Sequence, residues 1–250
     1  MAQQDQLALI EKGARLWNEW RAKYQITPDL SEANLSRVNL REFDLRGAKL
    51  TRADLGLADL RRSCLNSADL TRCNLIGANF TGAELQRTLL SGSNLIGAKL
   101  VAVNMKEAVL VGANMIRADL AESNLIGAQL SHVNLSESFM VGANLRMAKL
   151  ENADFRNSNF ERVDLRGVNA KGATFNQSTL IDSYLGHANF TDATLPGVLF
   201  CRARLSKTNF TNADLQRADF SRTQLVQCVM DGAKLGETKM PAAKKHEAIA

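Results

Sequence analysis

The side chains that most often carry out chemistry in proteins are few in this sequence and widely spaced. Those that could bind a metal or act as nucleophiles are His132, His187, His246, Cys64, Cys73, Cys201 and Cys228. The cysteines show no CxxC spacing, and the chain has no P-loop, no GxGxxG motif and no GxSxG nucleophile elbow. We therefore predict that the protein is not an enzyme and binds neither a metal nor another cofactor.

The composition is that of a soluble globular protein, with 45% apolar and 23% charged residues. The net charge of +5 is mildly basic, which permits an acidic partner without requiring nucleic acid. The N-terminus does not resemble a signal peptide, and no apolar run approaches the roughly 18–20 residues that a membrane span needs. We expect a cytoplasmic protein with reduced cysteines and no membrane contact.

A strict period of five residues runs from Leu30 to Met240. Of the 43 positions at this spacing, 29 are Leu, eight are Phe and five are Met, and the remaining one is Ala170. Two residues earlier, from Pro28 to Thr238, 35 of 43 residues are Ala, Ser, Thr or Cys. The residue in between is Asn or Asp at 24 of 43 positions, so the consensus reads A-(N/D)-L-x-x. Such long self-similarity is typical of a repeat architecture.

The elements behind this period follow from its length. Five residues fit neither a helix, with period 3.6, nor a continuous strand, with period 2, but they fit a three-residue strand followed by a two-residue turn. The small residue and the Leu of each strand then point inward, and the Asn or Asp points outward. We predict an all-β solenoid whose coils stack, so that their backbone groups pair and the Leu side chains form internal ladders.

The repeats resemble the pentapeptide-repeat family. The resemblance covers residues 28–240 and is carried by strings such as ADLGLADL, GANMIRADL, GANLRMAKL and NADLQRADF. It implies a right-handed quadrilateral parallel β-helix of about eleven coils with four repeats per coil. With four repeats per coil, His132 and His187 lie on different sides and several coils apart, too far to share a metal.

The ends of the β-helix need separate elements, because exposed sheet edges promote aggregation. Residues 1–27 are predicted to form an N-terminal amphipathic capping helix, spanning about 4–24, whose apolar stripe includes Leu7, Ile10, Trp17 and Trp20. A helix that docks a partner is the alternative reading. Residues 241–250 are predicted to be a frayed tail or one helical turn. Nothing obvious in the sequence covers the last coil, so we expect a monomer or an end-to-end homodimer.

Residues 20 apart should stack, which allows the outer surface to be predicted. One face carries an outward ladder of Ile76, Ile96 and Ile116. A second face carries Val101 and Val141, with Phe139 alongside. Stacked apolar side chains form a patch, and a patch is either corner packing or a binding surface for a protein partner.

Two functions from different classes follow. The first is a rigid scaffold for protein–protein interaction, with a partner whose identity the sequence does not reveal. The second comes from the resemblance: some pentapeptide-repeat proteins mimic B-form DNA and bind DNA gyrase and other type II topoisomerases. Between residues 30 and 240 this chain carries 25 Lys and Arg against 21 Asp and Glu, which disfavours a DNA mimic. We also do not expect direct nucleic-acid binding, since the only outward aromatic residues among the repeats are Phe139 and Tyr184.

Overall fold

The computed structural model describes residues 4–242. It begins with two helices, α1 (Gln4–Glu11) and α2 (Ala14–Lys23). From Pro28 onward the chain repeats one pattern, a short extended segment followed by a two-residue turn, as far as Met240. Each pentapeptide contributes one isolated bridge, shorter than the predicted three-residue strand, and a two-residue turn follows it except at residues 226–227.

Parallel β-bridges set the register of the repeats. They pair residues 20 positions apart throughout, from Asp29 with Lys49 to Asp219 with Lys239. Four successive pentapeptides therefore separate two paired residues. We call the four resulting columns of repeats stack 1, stack 2, stack 3 and stack 4. Their first central residues are Leu30, Leu35, Leu40 and Leu45, and each continues at every twentieth residue.

Backbone hydrogen bonds join each repeat to the repeats before and after it in its stack. The amide of Leu50 donates to the carbonyl of Asp69 at 2.7 Å, and the amide of Asp54 donates to the carbonyl of Ala33 at 2.9 Å. Similar bonds recur in every stack. The backbone groups of these short strands are thus satisfied between coils, as a solenoid requires. The predicted solenoid is confirmed.

The core follows the two periods of the sequence. Ala58 and Leu60 are fully buried, and the same holds for nearly all interior repeats. In the later coils phenylalanines stack on one another. Phe200 and Phe220 have ring centroids 4.7 Å apart and planes inclined by only 6°. The late Phe side chains thus pack as ladders of their own, stacked at the 20-residue register.

The N-terminal segment differs from the prediction. A single helix over residues 4–24 is wrong, because Gly13 adopts a φ of 88° and separates α1 from α2. The turn lets both helices lie on the first coil. Ile10 and Trp17 are buried, while Leu7 and Trp20 are half-buried against the core. Among residues 4–242, no helix has the length and apolar character to cross a bilayer.

The C-terminal end of the described solenoid exposes its core. Leu235 and Met240 are 42% and 48% exposed, and Leu225 and Met230 are only partly buried. The same four inward positions are fully buried in interior coils. The tail predicted for residues 241–250 lies, from residue 243 onward, outside the described residues.

Candidate functional site

The residues that could carry out chemistry do not come together. His132 and His187 are exposed at turns of different stacks, and His246 lies outside the described residues. Within residues 4–242 no three His, Cys, Asp or Glu side chains are grouped as metal ligands. Burial raises the pKa of the Cys73 thiol to about 12, and desolvation also raises the pKa of the Cys64 thiol. High thiol pKa values disfavour the reactive thiolate.

Several carboxylates along the outer columns are bound by an arginine two residues later in the chain. Asp44 accepts two hydrogen bonds from Arg46, at 2.8 and 2.6 Å, and Asp59 pairs with Arg61 in the same way. The Arg46 guanidinium lowers the pKa of Asp44, as Arg61 does for Asp59. These carboxylates are ionised and paired. They are surface ion pairs, and their lowered pKa values do not suit a general acid or base.

The predicted isoleucine ladder lies at the turn that leads from stack 2 into stack 3. Ile76 is 41% exposed, and Ile96 and Ile116 are half-buried. Each isoleucine is the first residue of its turn. Gly77 and Gly97 follow two of them without covering them with a side chain. The three isoleucines therefore form a continuous, partly exposed apolar edge.

The second predicted stripe lies at the opposite edge of the same stack. Val101 and Val141 occupy the turn that leaves stack 3, and both are half-buried. Phe139 projects from stack 3 itself, between Asp119 and Asn159, and is 55% exposed. The two stripes thus occupy different turns, on either side of one stack. The turns before and after a strand border that strand, so both stripes enclose stack 3.

We call the residues Ile76, Ile96, Ile116, Val101, Phe139 and Val141 the stack 3 surface. Its apolar edges flank a polar centre, since Lys99 lies between Ile96 and Val101 along the chain and is exposed. A partner that covers this surface would contact two apolar edges and a charged middle. Such a mixed composition is typical of interfaces between proteins that also exist separately.

Leu57 extends the isoleucine edge by one coil and was not singled out from the sequence. It is 54% exposed and occupies the second turn position one coil before Gly77. A Cβ on Gly77 would lie 2.7 Å from Cδ2 of Leu57, so Leu57 lies across the space that the glycine leaves open. A large apolar residue at a turn position that is mostly Gly or polar, with Met147 as the other large exception, was the signal available in the sequence.

Comparison with known proteins identifies the repeats. The family model described as pentapeptide repeats, in eight copies, matches residues 29–66, 68–106, 89–125, 98–136 and 123–162. A second model, described as a pentapeptide repeat region, matches residues 153–230. Among curated proteins no significant match to the chain is found.

Several solved structures are similar to this chain. HetL, a pentapeptide repeat protein involved in heterocyst differentiation regulation in the cyanobacterium Nostoc sp. strain PCC 7120, is 28% identical, with a TM-score of 0.46 over 81% of this chain and 91% of HetL. QnrB1, a plasmid-mediated fluoroquinolone resistance protein, is 21% identical, with a TM-score of 0.37 over 77% of this chain and 86% of QnrB1.

A pentapeptide repeat protein of the Arabidopsis thaliana thylakoid lumen is 27% identical over 40% of this chain and 63% of that protein, with a TM-score of 0.16. The family models together match residues 29–230, far more than half of the 250 residues. The chain belongs to the pentapeptide repeat family.

Proposed function

We propose that this protein is a non-enzymatic scaffold of the cytoplasm that binds a protein partner through the stack 3 surface. The observation that carries the proposal is the placement of both apolar stripes at the borders of one stack. Together they span coils from Ile76 to Val141, with Phe139 as the most exposed large side chain among them. Clustered apolar side chains with an exposed aromatic are typical of interaction sites, in which buried aromatic residues contribute much of the binding energy.

For the scaffold itself we propose a right-handed quadrilateral β-helix of about eleven coils. The 20-residue register and the turn that recurs between successive bridges support four sides. With coils about 4.8 Å apart the rod is roughly 50 Å long. Each coil contacts only its neighbours, so the rod presents its outer columns at constant spacing. This geometry suits a partner that contacts several coils at once.

Mimicry of DNA has no comparable support. A protein that replaces DNA on an enzyme needs a continuous acidic surface in place of the phosphates. In the described chain the outward carboxylates alternate with neutral and basic residues, and many bind an arginine directly, as in the pairs Asp154–Arg156 and Asp182–Arg202. We therefore retain the scaffold as the proposed function.

The test compares the proteins captured by two variants with those captured by the unaltered chain. The first variant carries Ile76→Asp, Ile96→Asp and Ile116→Asp, which place carboxylates along the isoleucine edge. The control variant carries Leu89→Asp, Val109→Asp and Val111→Asp, which change equally apolar, partly exposed residues on and beside stack 1. Affinity capture followed by quantitative mass spectrometry, with the pure partner then titrated by calorimetry, gives the readout.

We expect the first variant to lose the partner by about tenfold or more, because a charge buried in an apolar contact is costly. The control should retain the partner. Circular dichroism and thermal melting establish that both variants fold. If the folded first variant binds the partner as tightly as the unaltered chain, the stack 3 surface is not the docking site.

A further inference from the structure

Charge is divided unevenly along the turn that leads from stack 4 into stack 1 and the adjoining outward column of stack 4. In the first half of the rod, the cations Arg46, Arg87 and Lys106 are matched by Asp44, Glu84 and Glu107. Three ion pairs connect members of this set, at 2.6 Å for Arg46–Asp44, 2.8 Å for Arg87–Glu107 and 3.6 Å for Lys106–Glu107. This half is therefore electrically neutral.

In the second half the same region is strongly basic. It contains Arg146, Arg166, Arg204 and Lys207, with Asp164 as the opposing carboxylate. Asp164 is already bound by Arg166, with contacts of 2.9 and 2.6 Å. Among residues 4–242 no carboxylate forms an ion pair with Arg146, Arg204 or Lys207. Three exposed cations thus form no ion pair over about three coil spacings, although Arg146 is close enough to Asp164 to help lower the pKa of that carboxyl.

Tyr184 orders the centre of this basic region. The Cζ atom of Arg166, from the preceding coil, lies 5.7 Å from the centroid of the Tyr184 ring, and that of Arg204, from the following coil, lies 5.0 Å from it. Two cation–π contacts hold both guanidiniums against the ring and reduce the conformational entropy that they would lose on binding a ligand. We call Arg146, Arg166, Tyr184, Arg204 and Lys207 the Tyr184 patch.

The turn beside Tyr184 carries no side chain at its first position. Gly186 occupies the first turn position, where Arg166 stands one coil earlier and Arg146 two coils earlier. A Cβ on Gly186 would have only the carbonyl oxygen of Ser206, at 3.6 Å, and Cγ of Arg166, at 3.9 Å, near it. The glycine therefore opens a notch between the arginine side and the Lys207 side of the patch.

We propose that the Tyr184 patch is a second docking surface, which binds an acidic, extended segment of a protein. Carboxylates along such a segment would pair with Arg146, Arg204 and Lys207, none of which forms an ion pair within the described residues, while the backbone passes the notch at Gly186. Three coil spacings correspond to roughly 14 Å, a length that about four to five extended residues cover. This surface is distinct from the stack 3 surface and its binding does not depend on the proposed function.

The geometry favours a peptide over a nucleic acid. Proteins that bind single-stranded nucleic acid offer free aromatic faces on which bases stack. The Tyr184 ring is instead approached by guanidiniums from both neighbouring coils. What the patch offers to a ligand is therefore cationic hydrogen-bond donors, which suit carboxylates.

The experiment measures binding of a fluorescently labelled peptide of about ten residues, in which Glu and Gly alternate, by fluorescence anisotropy. A peptide with Gln in place of Glu and a single-stranded DNA of similar length are measured in parallel. The test variant carries Arg146→Glu, Arg204→Glu and Lys207→Glu. The control variant carries Arg37→Glu, Arg41→Glu and Arg72→Glu, which change the net charge equally at exposed arginines of the first coils that form no ion pair.

We expect the full chain to bind the Glu peptide at about 50 mM salt, less tightly at about 300 mM, and to bind the Gln peptide at least about tenfold more weakly. The test variant should lose about tenfold or more in affinity for the Glu peptide, and the control variant should lose less than about threefold. Equal losses in the two variants would mean that only net charge matters and would overturn the proposal. Tighter binding of the DNA than of the Glu peptide, abolished by the test variant, would also overturn it in favour of a nucleic-acid site.

Discussion

The second residue of each turn adopts a left-handed backbone conformation, whether or not it is glycine. Thirty such residues in the repeats are not glycine, for example Arg72 with a φ of 58° and His132 with a φ of 60°. This conformation costs L-residues free energy, but the amide of the same residue donates to the next coil, as Arg72 does to the carbonyl of Ser91 at 3.0 Å. The stacking thus holds residues in a conformation that they would rarely adopt alone.

The two kinds of turn glycine should respond differently to a methyl group. Gly97 has a φ of 63° and open space around its Cβ position, so Gly97→Ala introduces backbone strain without a clash. We expect it to lower the free energy of unfolding by about 1–2 kcal/mol. Gly186 lies outside the left-handed region, and Gly186→Ala should change the stability by less than about 1 kcal/mol. Urea unfolding of both variants tests this, and equal destabilisation would contradict the explanation.

At the scale of elements, α1 and α2 supply the hydrogen bonds that a preceding coil would make. The amide of Asp44 donates to Oδ1 of Asn18 at 2.8 Å, and Nε1 of Trp17 donates to the carbonyl of Asp44 at 2.8 Å. On stack 1, the amide of Asp29 donates to Oε1 of Gln6 at 2.9 Å. Polar side chains of the helices thus replace backbone groups of a strand, which satisfies part of the first sheet edge.

Removing one of these side chains should destabilise the first coil. Asn18→Ala leaves the amide of Asp44 and the carbonyl of Glu42 without their partners, and we expect a loss of about 1–3 kcal/mol in the free energy of unfolding. Arg15→Ala, on the exposed side of α2, removes a surface pair with Glu19 and should cost less than about 0.5 kcal/mol. Chemical denaturation gives both values. Similar values for the two variants would show that the helix does not substitute for a coil.

At the scale of the whole molecule, the two ends of the described rod differ. The first coil is covered by α1 and α2, whereas the last exposes Leu235 and Met240. Apolar core residues at an open sheet edge are prone to association. Because α1 and α2 cover the other end, an association through the C-terminal ends would close the assembly as a dimer.

We therefore expect an end-to-end homodimer with twice the 27.4 kDa of one chain. Leu235→Glu and Met240→Glu together should shift the molar mass measured by light scattering toward that of a single chain. Leu57→Glu, a change of equal character far from this end, should leave the mass unaltered. A single-chain mass for the unaltered protein at micromolar concentration would contradict the expectation.

Much of this molecule follows from the sequence alone, because its contacts are local and repeat every five residues. The period predicts which side chains are buried, from Leu30 through Phe220. The exposed stripes were also identified in this way, since a constant register turns sequence spacing into spatial position.

Other features depend on contacts between coils and between elements, which no local pattern encodes. Only the tertiary structure shows that Gly13 divides the cap and that Asn18 pairs with the first coil. It also decides which charges are neutralised: Arg87 meets Glu107 one coil away, whereas Arg204 meets the ring of Tyr184. The physical reason is that a fivefold repeat determines the register of the core, while the pairing of long surface side chains depends on their three-dimensional neighbours.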